Sequence, residues 1–252
     1  MEKVTANDIA MMIDHSLLNP KFTLDEIRAG CALAREYGTV TVCVRPTDVP
    51  VAREILAGSH TKVTTVIGFP HGSNLTEVKV LETRLAIEQG CGEIDVVLNI
   101  GQLLSGEYAQ VETDLKAVID VAHASNVLVK VILENAYLTD AQKVEACKIC
   151  ARAGADFTKT STGYAPSGAT MHDLRLMRAN TPKTMQVKAA GGVRKLDDAL
   201  LVRAAGATRF GCTRTKEMLD EARAREAAGT LALPQIDDDT EFAGVLAAKA
   251  AK

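Results

Sequence analysis

The amino-acid sequence predicts an α/β fold, a (β/α)8 TIM barrel that takes in all 252 residues as a single domain. Three observations predict it. Helix-like stretches end at glycine beside small residues and give way to β-branched runs, which is the helix-to-strand junction of a layered α/β fold. Such units recur eight times, which suits a closed barrel of about 250 residues. The strand-like runs are almost continuously apolar, as buried parallel strands are.

The strands are expected in order along the chain, each before a helix or a loop that leads to one. They are placed near residues 12–17, 39–44, 62–67, 93–99, 127–133, 157–161, 185–190 and 208–211. Helix stops precede four of them, at Gly38, Gly90, Gly154 and Gly206. Two helices begin with a capping box, in which Thr23 pairs with Glu26 and Thr139 pairs with Gln142. The residues after about 230 are expected to form an acidic turn and a short Ala-rich helix, in a tail with freedom to move.

An open, doubly wound sheet is the alternative to a barrel. That fold carries a Gly-x-Gly-x-x-Gly turn directly after its first strand. No such turn follows the first predicted strand, and the pair Gly90 and Gly92 leads into a strand rather than out of one. The pair is therefore interpreted as a helix stop, and the closed barrel is favoured.

Charge and hydropathy exclude several classes of partner. The chain has 29 basic and 32 acidic residues, a formal net charge of -3, so no basic field is available to bind nucleic acid or a membrane surface. No apolar run approaches the roughly 20 residues of a membrane span, and the first residues do not resemble an export signal. A soluble, cytoplasmic protein is expected.

The six cysteines are too sparse for a disulfide scaffold, so free thiols are expected. Cys147 and Cys150 have the spacing of a redox or zinc site, but they lie in a helical pattern without a second pair. They are interpreted as buried packing residues. The five histidines are scattered and form no ligand motif, so no metal and no cofactor is expected. The Gly-x-Ser-x-Gly elbow of serine hydrolases is also absent.

Charged residues inside the predicted strands point to a reaction. In a (β/α)8 barrel the chemistry lies at the carboxyl ends of the strands, and burying an unpaired ammonium group costs several kcal/mol. Five strands each contribute one such residue, with Cys43 as a smaller candidate: Asp14, Asp95, Lys130, Lys159 and Lys188. The alternative is a purely structural network in which the two aspartates neutralise the lysines.

Two of these lysines predict the kind of reaction. Lys159 and Lys188 lie on consecutive strands, which are about 4.8 Å apart when paired. Burial and the neighbouring positive charge favour loss of a proton from one amine. A neutral amine attacks a carbonyl group to form an iminium ion, whose electron sink lets an adjacent carbon–carbon bond break or form. The pair therefore predicts an aldolase that needs no metal.

A phosphate site is predicted separately, in the loops after the last strands. Residues 190–194 (Ala-Gly-Gly-Val-Arg) follow the seventh strand and residues 211–214 (Gly-Cys-Thr-Arg) follow the eighth. Barrels bind phosphate at this position through loop amides and a short helix N-terminus. Residues 161–163 (Ser-Thr-Gly) add further donors after the sixth strand. Plain glycine turns are the alternative for each loop taken alone.

These motifs resemble the deoxyribose-phosphate aldolases, which are class I aldolases on a (β/α)8 barrel. The resemblance spans nearly the whole chain, and its most specific pieces are residues 154–163, 187–194, 93–99, 69–72 and 14–18. It implies reversible cleavage of 2-deoxy-D-ribose 5-phosphate to D-glyceraldehyde 3-phosphate and acetaldehyde, in deoxynucleoside catabolism. A small phosphorylated sugar and aldehydes are the implied partners, and a homodimer is expected because the family often forms dimers.

The resemblance also implies roles for individual residues. Lys159 would form the Schiff base, Lys188 would be the charged neighbour that depresses its pKa, and Asp95 would relay protons through water. Asp14 and Ser16 would touch the sugar hydroxyls, Cys43 would line the aldehyde end or act as a small apolar filler, and Lys130 would belong to the surrounding charge network. The implied phosphate residues are Gly163, Gly191, Gly192, Val193, Arg194, Gly211, Thr213 and Arg214.

The sequence departs from the family pattern in three places. Some relatives carry a C-terminal tyrosine that assists proton transfer, whereas the last tyrosine here is Tyr164. Some carry a lysine at the position of Tyr164, and serines often follow the eighth-strand glycine where this chain has Cys212 and Thr213. Preference for phosphorylated sugars and acceptor tolerance are therefore open. A sugar-phosphate isomerase or epimerase on the same kind of barrel, and a binding module without catalysis, are the alternatives.

Overall fold

Eight parallel strands close into a barrel in sequential order in the computed structural model, which describes residues 2–242. The strands are β1 Ile13–Leu17, β2 Thr41–Val44, β3 Lys62–Ile67, β4 Glu93–Val97, β5 Leu128–Ile132, β6 Phe157–Lys159, β7 Gln186–Ala189 and β8 Arg209–Cys212. Each matches a predicted strand, with ends that differ by one or two residues at most. The predicted (β/α)8 TIM barrel is confirmed.

At least one helix follows each strand, and one further helix precedes the first strand. They are α1 Ala6–Ala10, α2 Leu24–Tyr37, α3 Val49–Leu56, α4 Thr76–Glu88, α5 Ile100–Leu104, α6 Tyr108–His123, α7 Asp140–Ala153, α8 Met171–Ala179, α9 Leu196–Ala204 and α10 Thr215–Ala227. Short 3-10 turns occupy Pro46–Asp48 and Asn135–Tyr137. Among the helices between residues 2 and 242, none combines the length and apolar character needed to cross a membrane.

Local sequence signals explain where the helices begin and end. Thr23 and Thr139 form the predicted capping boxes, because each side chain accepts from the backbone N–H three residues on and the partner side chain accepts from the threonine N–H. Helix α2 ends at Gly38 with φ 67° and α7 ends at Gly154 with φ 87°. These left-handed conformations suit glycine, which has no Cβ to clash.

Side chains along each strand point alternately to two buried regions, the inside of the barrel and the layer between the strands and the helices. In β4, Ile94 and Val96 are fully buried against the surrounding helices, whereas Asp95 points into the barrel and meets side chains from β5, β6 and β7. The main apolar core therefore lies between the strands and the helix ring. The barrel interior instead carries a chain of charged groups.

The described part of the tail packs against the barrel. Ala232 forms an antiparallel bridge with Lys3, and Phe242 is buried. The expected acidic turn is present, because Asp237 and Thr240 hydrogen-bond to each other through side chains and backbone. The expected Ala-rich helix falls in residues 243–252, outside the described residues.

All six cysteines are free thiols and are buried, as expected from their sparseness. Cys147 and Cys150 pack on the inner side of α7. Burial raises the pKa of Cys147 to about 12 and also raises the pKa of Cys150. Both groups therefore remain thiols near neutral pH, in keeping with their interpretation as packing residues.

Candidate active site

Three lysines converge on one carboxylate inside the barrel. The Nζ atoms of Lys159 and Lys188 both donate to Oδ2 of Asp95, each at 2.7 Å, and Nζ of Lys130 donates to Oδ1 at 2.9 Å. The strand register explains the convergence, since Lys159 lies opposite Lys188 on β6 and β7, and Asp95 lies opposite Lys130 on β4 and β5. Sequence analysis named all four residues, and the fold brings them together.

A second carboxylate extends the network. Asp14 accepts from Lys188 and, through Oδ1, from Nη1 of Arg209 at 2.8 Å. Arg209 in turn holds Glu93, with Nη2 donating to Oε1 at 3.0 Å and Nη1 donating to Oε2 at 3.2 Å. Nζ of Lys130 lies 2.6 Å from Oε2 of Glu93. These buried groups therefore satisfy one another in a continuous chain.

Sequence analysis missed Glu93 and Arg209 as interior residues. Each is the first residue of its strand, where a charged side chain is ordinarily assigned to the solvent edge. Alternation would have found them, because Glu93 is two residues before Asp95 and Arg209 is two residues before Gly211. Arg209 also lies opposite Lys188 in the register of β7 and β8.

The network shifts the pKa values of its lysines in opposite directions. Burial, helped by the charge of Lys188, lowers the pKa of Lys159 and outweighs the opposing effect of Asp95. For Lys188 burial also disfavours the charge, but Asp14 and Asp95 outweigh it and raise its pKa. Asp95, Asp14 and Glu93 likewise raise the pKa of Lys130 against its burial. Lys159 is therefore the interior lysine best suited to lose its proton.

A cavity of about 510 Å³ opens above these amines at the carboxyl ends of the strands. Lys159 and Lys188 lie at its floor, and Asp95 and Lys130 are buried beneath the lining. The lining contains most of the predicted binding residues, namely Asp14, Ser16, Cys43, Gly163, Gly191, Gly192, Val193, Arg194, Gly211 and Thr213. Arg214 is outside the lining and is exposed at the start of α10. Thr162, Ala190 and Cys212 belong to the predicted phosphate loops and also line the cavity, whereas sequence analysis did not assign Leu18, Asn19, Pro20 and Tyr164 to the site.

The loop after β7 presents backbone amides to this cavity. Gly191 and Gly192 have φ values of 74° and 98°. The loop is held by Ala169, whose N–H donates to the carbonyls of Ala190 and Gly191, each at 2.9 Å. The approach is so close that a Cβ on Gly168 would lie 2.4 Å from the carbonyl oxygen of Gly191. Only glycine fits there.

Several amides beside this loop remain free to bind an anion. Within residues 2–242, the N–H groups of Gly192, Val193 and Thr213 donate to no acceptor of the protein. The N–H of Arg194 instead donates to Oδ2 of Asp198 at 3.1 Å. Adjacent free amides form a concavity suited to phosphate oxygens, with the Arg194 side chain at the same rim.

Cys43 and His15 lie on opposite sides of the barrel wall. Cys43 lines the cavity, and burial, with a contribution from Asp95, raises its thiol pKa to about 12. His15 points outward, as alternation with Asp14 predicts, and its Nδ1 lies 2.8 Å from the Thr215 hydroxyl. Burial lowers the pKa of His15 to about 4.

One group of potential metal ligands lies outside the cavity within the described residues. Among the described residues, Asp140, His172 and Asp173 bring three ligand atoms together on the outer surface. Lys143 already donates to both aspartates, at 3.1 and 2.7 Å. The group is therefore explained as an ion-pair cluster between α7 and α8.

Comparison with known proteins places this geometry in a family. The profile of the DeoC/LacD family aldolase matches residues 9–233. A deoxyribose-phosphate aldolase of Rhodopirellula baltica is 48% identical over 217 residues, which cover 86% of this chain and 90% of that protein. These matches favour the aldolase over the isomerase and binding-module alternatives.

Solved structures agree with the sequence comparison. A crystal structure described as a putative deoxyribose-phosphate aldolase from Coccidioides immitis has a TM-score of 0.84 and 37% identity, covering 88% of each chain. The structure of an Aeropyrum pernix deoxyribose phosphate aldolase, described as a unique tetramer, has a TM-score of 0.80 and 31% identity, covering 86% of this chain and 92% of that one. The family resemblance drawn from the sequence motifs is thus confirmed: the chain belongs to the DeoC/LacD family of aldolases.

Proposed function

We propose that this aldolase reversibly cleaves 2-deoxy-D-ribose 5-phosphate to D-glyceraldehyde 3-phosphate and acetaldehyde, through a Schiff base on Lys159. The names of its relatives support the substrate. The observation that carries the mechanism is the asymmetry among the interior lysines. The pKa of Lys159 is lowered while those of Lys188 and Lys130 are raised, and Lys159 lines the cavity.

The chemistry starts at the neutral amine of Lys159. Its lone pair attacks the C1 carbonyl of the open-chain sugar, and loss of water from the carbinolamine gives an iminium ion. The C3 hydroxyl then gives its proton to Asp95 through a water molecule, and the C2–C3 electron pair moves into the iminium. D-glyceraldehyde 3-phosphate leaves. Asp95 returns this proton through water to C2 of the remaining two-carbon enamine, and water hydrolyses the resulting iminium ion to acetaldehyde and the free amine.

Lys188 and Asp95 support these steps electrostatically. Lys188 keeps its proton because two carboxylates hold it, so its charge continues to favour the neutral form of Lys159. Asp95 accepts from both amines through one oxygen. It is therefore in place to exchange a proton with Lys159, and we propose that a water molecule in the cavity completes the relay to the substrate.

The rest of the cavity binds the remainder of the sugar. The free amides of Gly192, Val193 and Thr213, together with the Arg194 side chain, are assigned to the phosphate. Asp14 and Ser16 are assigned to the sugar hydroxyls, and Cys43 to the aldehyde end. Lys130 belongs to the charge network beneath them. Arg214 lies outside the lining, and we assign to it a long-range electrostatic attraction for the phosphate.

Covalent trapping tests the proposal. Wild-type protein treated with acetaldehyde and borohydride should gain one ethyl group, and peptide mapping should locate it on Lys159. Lys159→Met should abolish both the adduct and the cleavage of 2-deoxyribose 5-phosphate. Lys148→Met, at an exposed lysine of α7, is the matched control and should retain both. An unmodified wild-type protein, or full activity in Lys159→Met, would refute the mechanism.

We also propose that the enzyme is a homodimer, acts in the cytoplasm and serves deoxynucleoside catabolism. An apolar stripe on α4 supports self-association, since Leu75 and Leu81 are 72% and 55% exposed and Val78 and Leu85 are exposed beside them. Glu77 and Arg84 flank the stripe, so antiparallel pairing of two α4 helices sets opposite charges together. Leu81→Glu should convert the dimer to a monomer in sedimentation analysis, and a wild-type monomer would contradict the proposal.

A further inference from the structure

Tyr164 closes an open side of the cavity rim. The lining comes from β1, β6, β7 and β8 and the loops that follow them, with Cys43 from β2. Strands β3, β4 and β5 contribute nothing to the lining among the described residues. Tyr164 reaches from the loop after β6 to the loop after β1, where its hydroxyl donates to the carbonyl of Leu18 at 2.8 Å. This bond joins the two ends of the lining arc.

Both ends of the Tyr164 bridge are anchored independently. On one side, the Tyr164 N–H donates to the Thr162 hydroxyl at 3.0 Å, and Thr162 is itself held by the Glu134 carboxylate. On the other side, Arg45 ties down the loop that follows Leu18, because its Nη1 donates to the carbonyls of three residues there. The bridge therefore spans two loops that are already fixed.

An aromatic contact with Phe69 fixes the orientation of the Tyr164 ring. The Tyr164 ring meets the Phe69 ring edge to face, with centroids 5.5 Å apart and an interplanar angle of 86°. Phe69 belongs to the loop after β3, on the side of the barrel that does not line the cavity. The two rings therefore form a wall between the cavity and the mouth above β3, β4 and β5. Edge-to-face pairs of this kind are stabilising.

We propose that Tyr164 is a specificity-determining residue that selects the aldehyde partner of the reaction. The inference rests on the proposed function. With the wall in place, a substrate bound to Lys159 must run toward the glycine loops after β7 and β8. An aldehyde with a branch or ring that projects toward β3–β5 meets the Tyr164 ring. The wall thus favours a slim chain that ends in phosphate.

The Tyr164 hydroxyl is not assigned to proton transfer. It is committed to the Leu18 carbonyl, and burial raises its pKa. A hydroxyl that already donates to a backbone oxygen and titrates above its usual range is a poor acid at neutral pH. Its role is therefore to position the ring, and the ring sets the shape of the cavity.

The test compares two acceptor aldehydes in the synthetic direction, with acetaldehyde as donor. One is D-glyceraldehyde 3-phosphate and the other is phenylacetaldehyde, which is bulky and carries no phosphate. Tyr164→Ala should raise the ratio of kcat/KM for phenylacetaldehyde to that for the phosphorylated acceptor by about tenfold or more. Tyr164→Phe keeps the ring and its contact with Phe69, so this ratio should change less than about threefold.

Tyr137→Ala is the matched control. Tyr137 follows β5 and is 51% exposed, close to the 50% of Tyr164, but it does not line the cavity. Tyr137→Ala should leave the ratio of the two kcat/KM values unchanged. The inference is overturned if Tyr164→Ala lowers kcat/KM for both acceptors equally or leaves the ratio unchanged. Borohydride trapping on Lys159 is a separate measurement. If the wild-type protein forms no adduct, that result contradicts the proposed function and not the role of the Tyr164 ring.

Discussion

Lys159 and Lys188 face each other across β6 and β7 and donate to the same oxygen of Asp95, each at 2.7 Å. The two amines differ in one respect. Lys188 also donates to Asp14, whereas Asp95 is the carboxylate that pairs with Lys159 among residues 2–242. The second carboxylate explains why the pKa of Lys188 is raised while burial lowers the pKa of Lys159.

Replacing Lys188 should move the pH profile of catalysis. Its positive charge helps to lower the pKa of Lys159, so Lys188→Leu should raise that pKa. The reactive neutral amine exists above the pKa, and the acid limb of the kcat/KM profile should therefore shift to higher pH, with a lower rate at pH 7. Lys188→Arg keeps the charge and is the control. An acid limb that stays in place in Lys188→Leu would contradict the electrostatic mechanism.

His15 should make folding stability depend on pH. Its pKa is about 4 in the folded protein and about 6.5 when unfolded. The unfolded chain therefore binds the proton first as the pH falls, and the free energy of unfolding should decrease between pH 6.5 and 4, by about 2 kcal/mol at pH 5. Urea denaturation at pH 7 and pH 5 measures the difference. His15→Gln should remove this part of it, and an equal loss in both proteins would disprove the assignment.

The buried pair of Lys79 and Asp114 should tolerate joint replacement better than single replacement. Nζ of Lys79 donates to Asp114 at 2.6 Å and to the carbonyl of Val97, at the end of β4, at 3.0 Å. Lys79→Met leaves a buried carboxylate without its cation and should lower the free energy of unfolding by about 3–5 kcal/mol. Adding Asp114→Leu should recover most of that loss in chemical denaturation. A double variant as unstable as the single one would contradict this account.

Glu134 should influence substrate binding more than stability. It has a left-handed backbone, with φ 57°, and its carboxylate holds the N–H and hydroxyl of Thr162. Glu134→Gly removes about 1 kcal/mol or more of backbone strain, which offsets part of the lost hydrogen bonding. We expect KM for 2-deoxyribose 5-phosphate to rise about tenfold with a small change in kcat, because the loop that carries Gly163 loses its support.

Asn126 provides the control for Glu134. It has the same φ of 57° but is exposed in the loop before β5, away from the cavity. Asn126→Gly should relieve strain without changing KM. If both glycine variants leave KM unchanged, Glu134 does not position the loop.

Local signals made the barrel predictable. The capping boxes at Thr23 and Thr139 and the glycines at helix ends act over a few residues, so they can be read directly from the sequence. The pairing of Lys159 with Lys188 was also predictable, because consecutive strands of a barrel are neighbours. Strand spacing alone was enough to place two amines side by side.

Other parts of the site depend on distances across the barrel. The bond from Tyr164 to Leu18 joins residues 146 positions apart, and nothing in the sequence near either residue indicates it. Alternation indicates the inward direction of Glu93 and Arg209, but their pairing with each other joins residues 116 positions apart. The assignment of Arg214 to the phosphate stays a prediction, since its exposed side chain at the start of α10 lies outside the lining.

The interior ion network divides the chain into two oppositely charged halves. Its carboxylates, Asp14, Glu93 and Asp95, all come from β1 and β4, and its cations, Lys130, Lys159, Lys188 and Arg209, all come from β5 to β8. The half with β1 to β4 alone would hold carboxylates close together, and the half with β5 to β8 alone would hold cations close together. Each half contains the counterions of the other. A chain cut between α6 and β5 should therefore reassemble from its two fragments, faster at low ionic strength than at high.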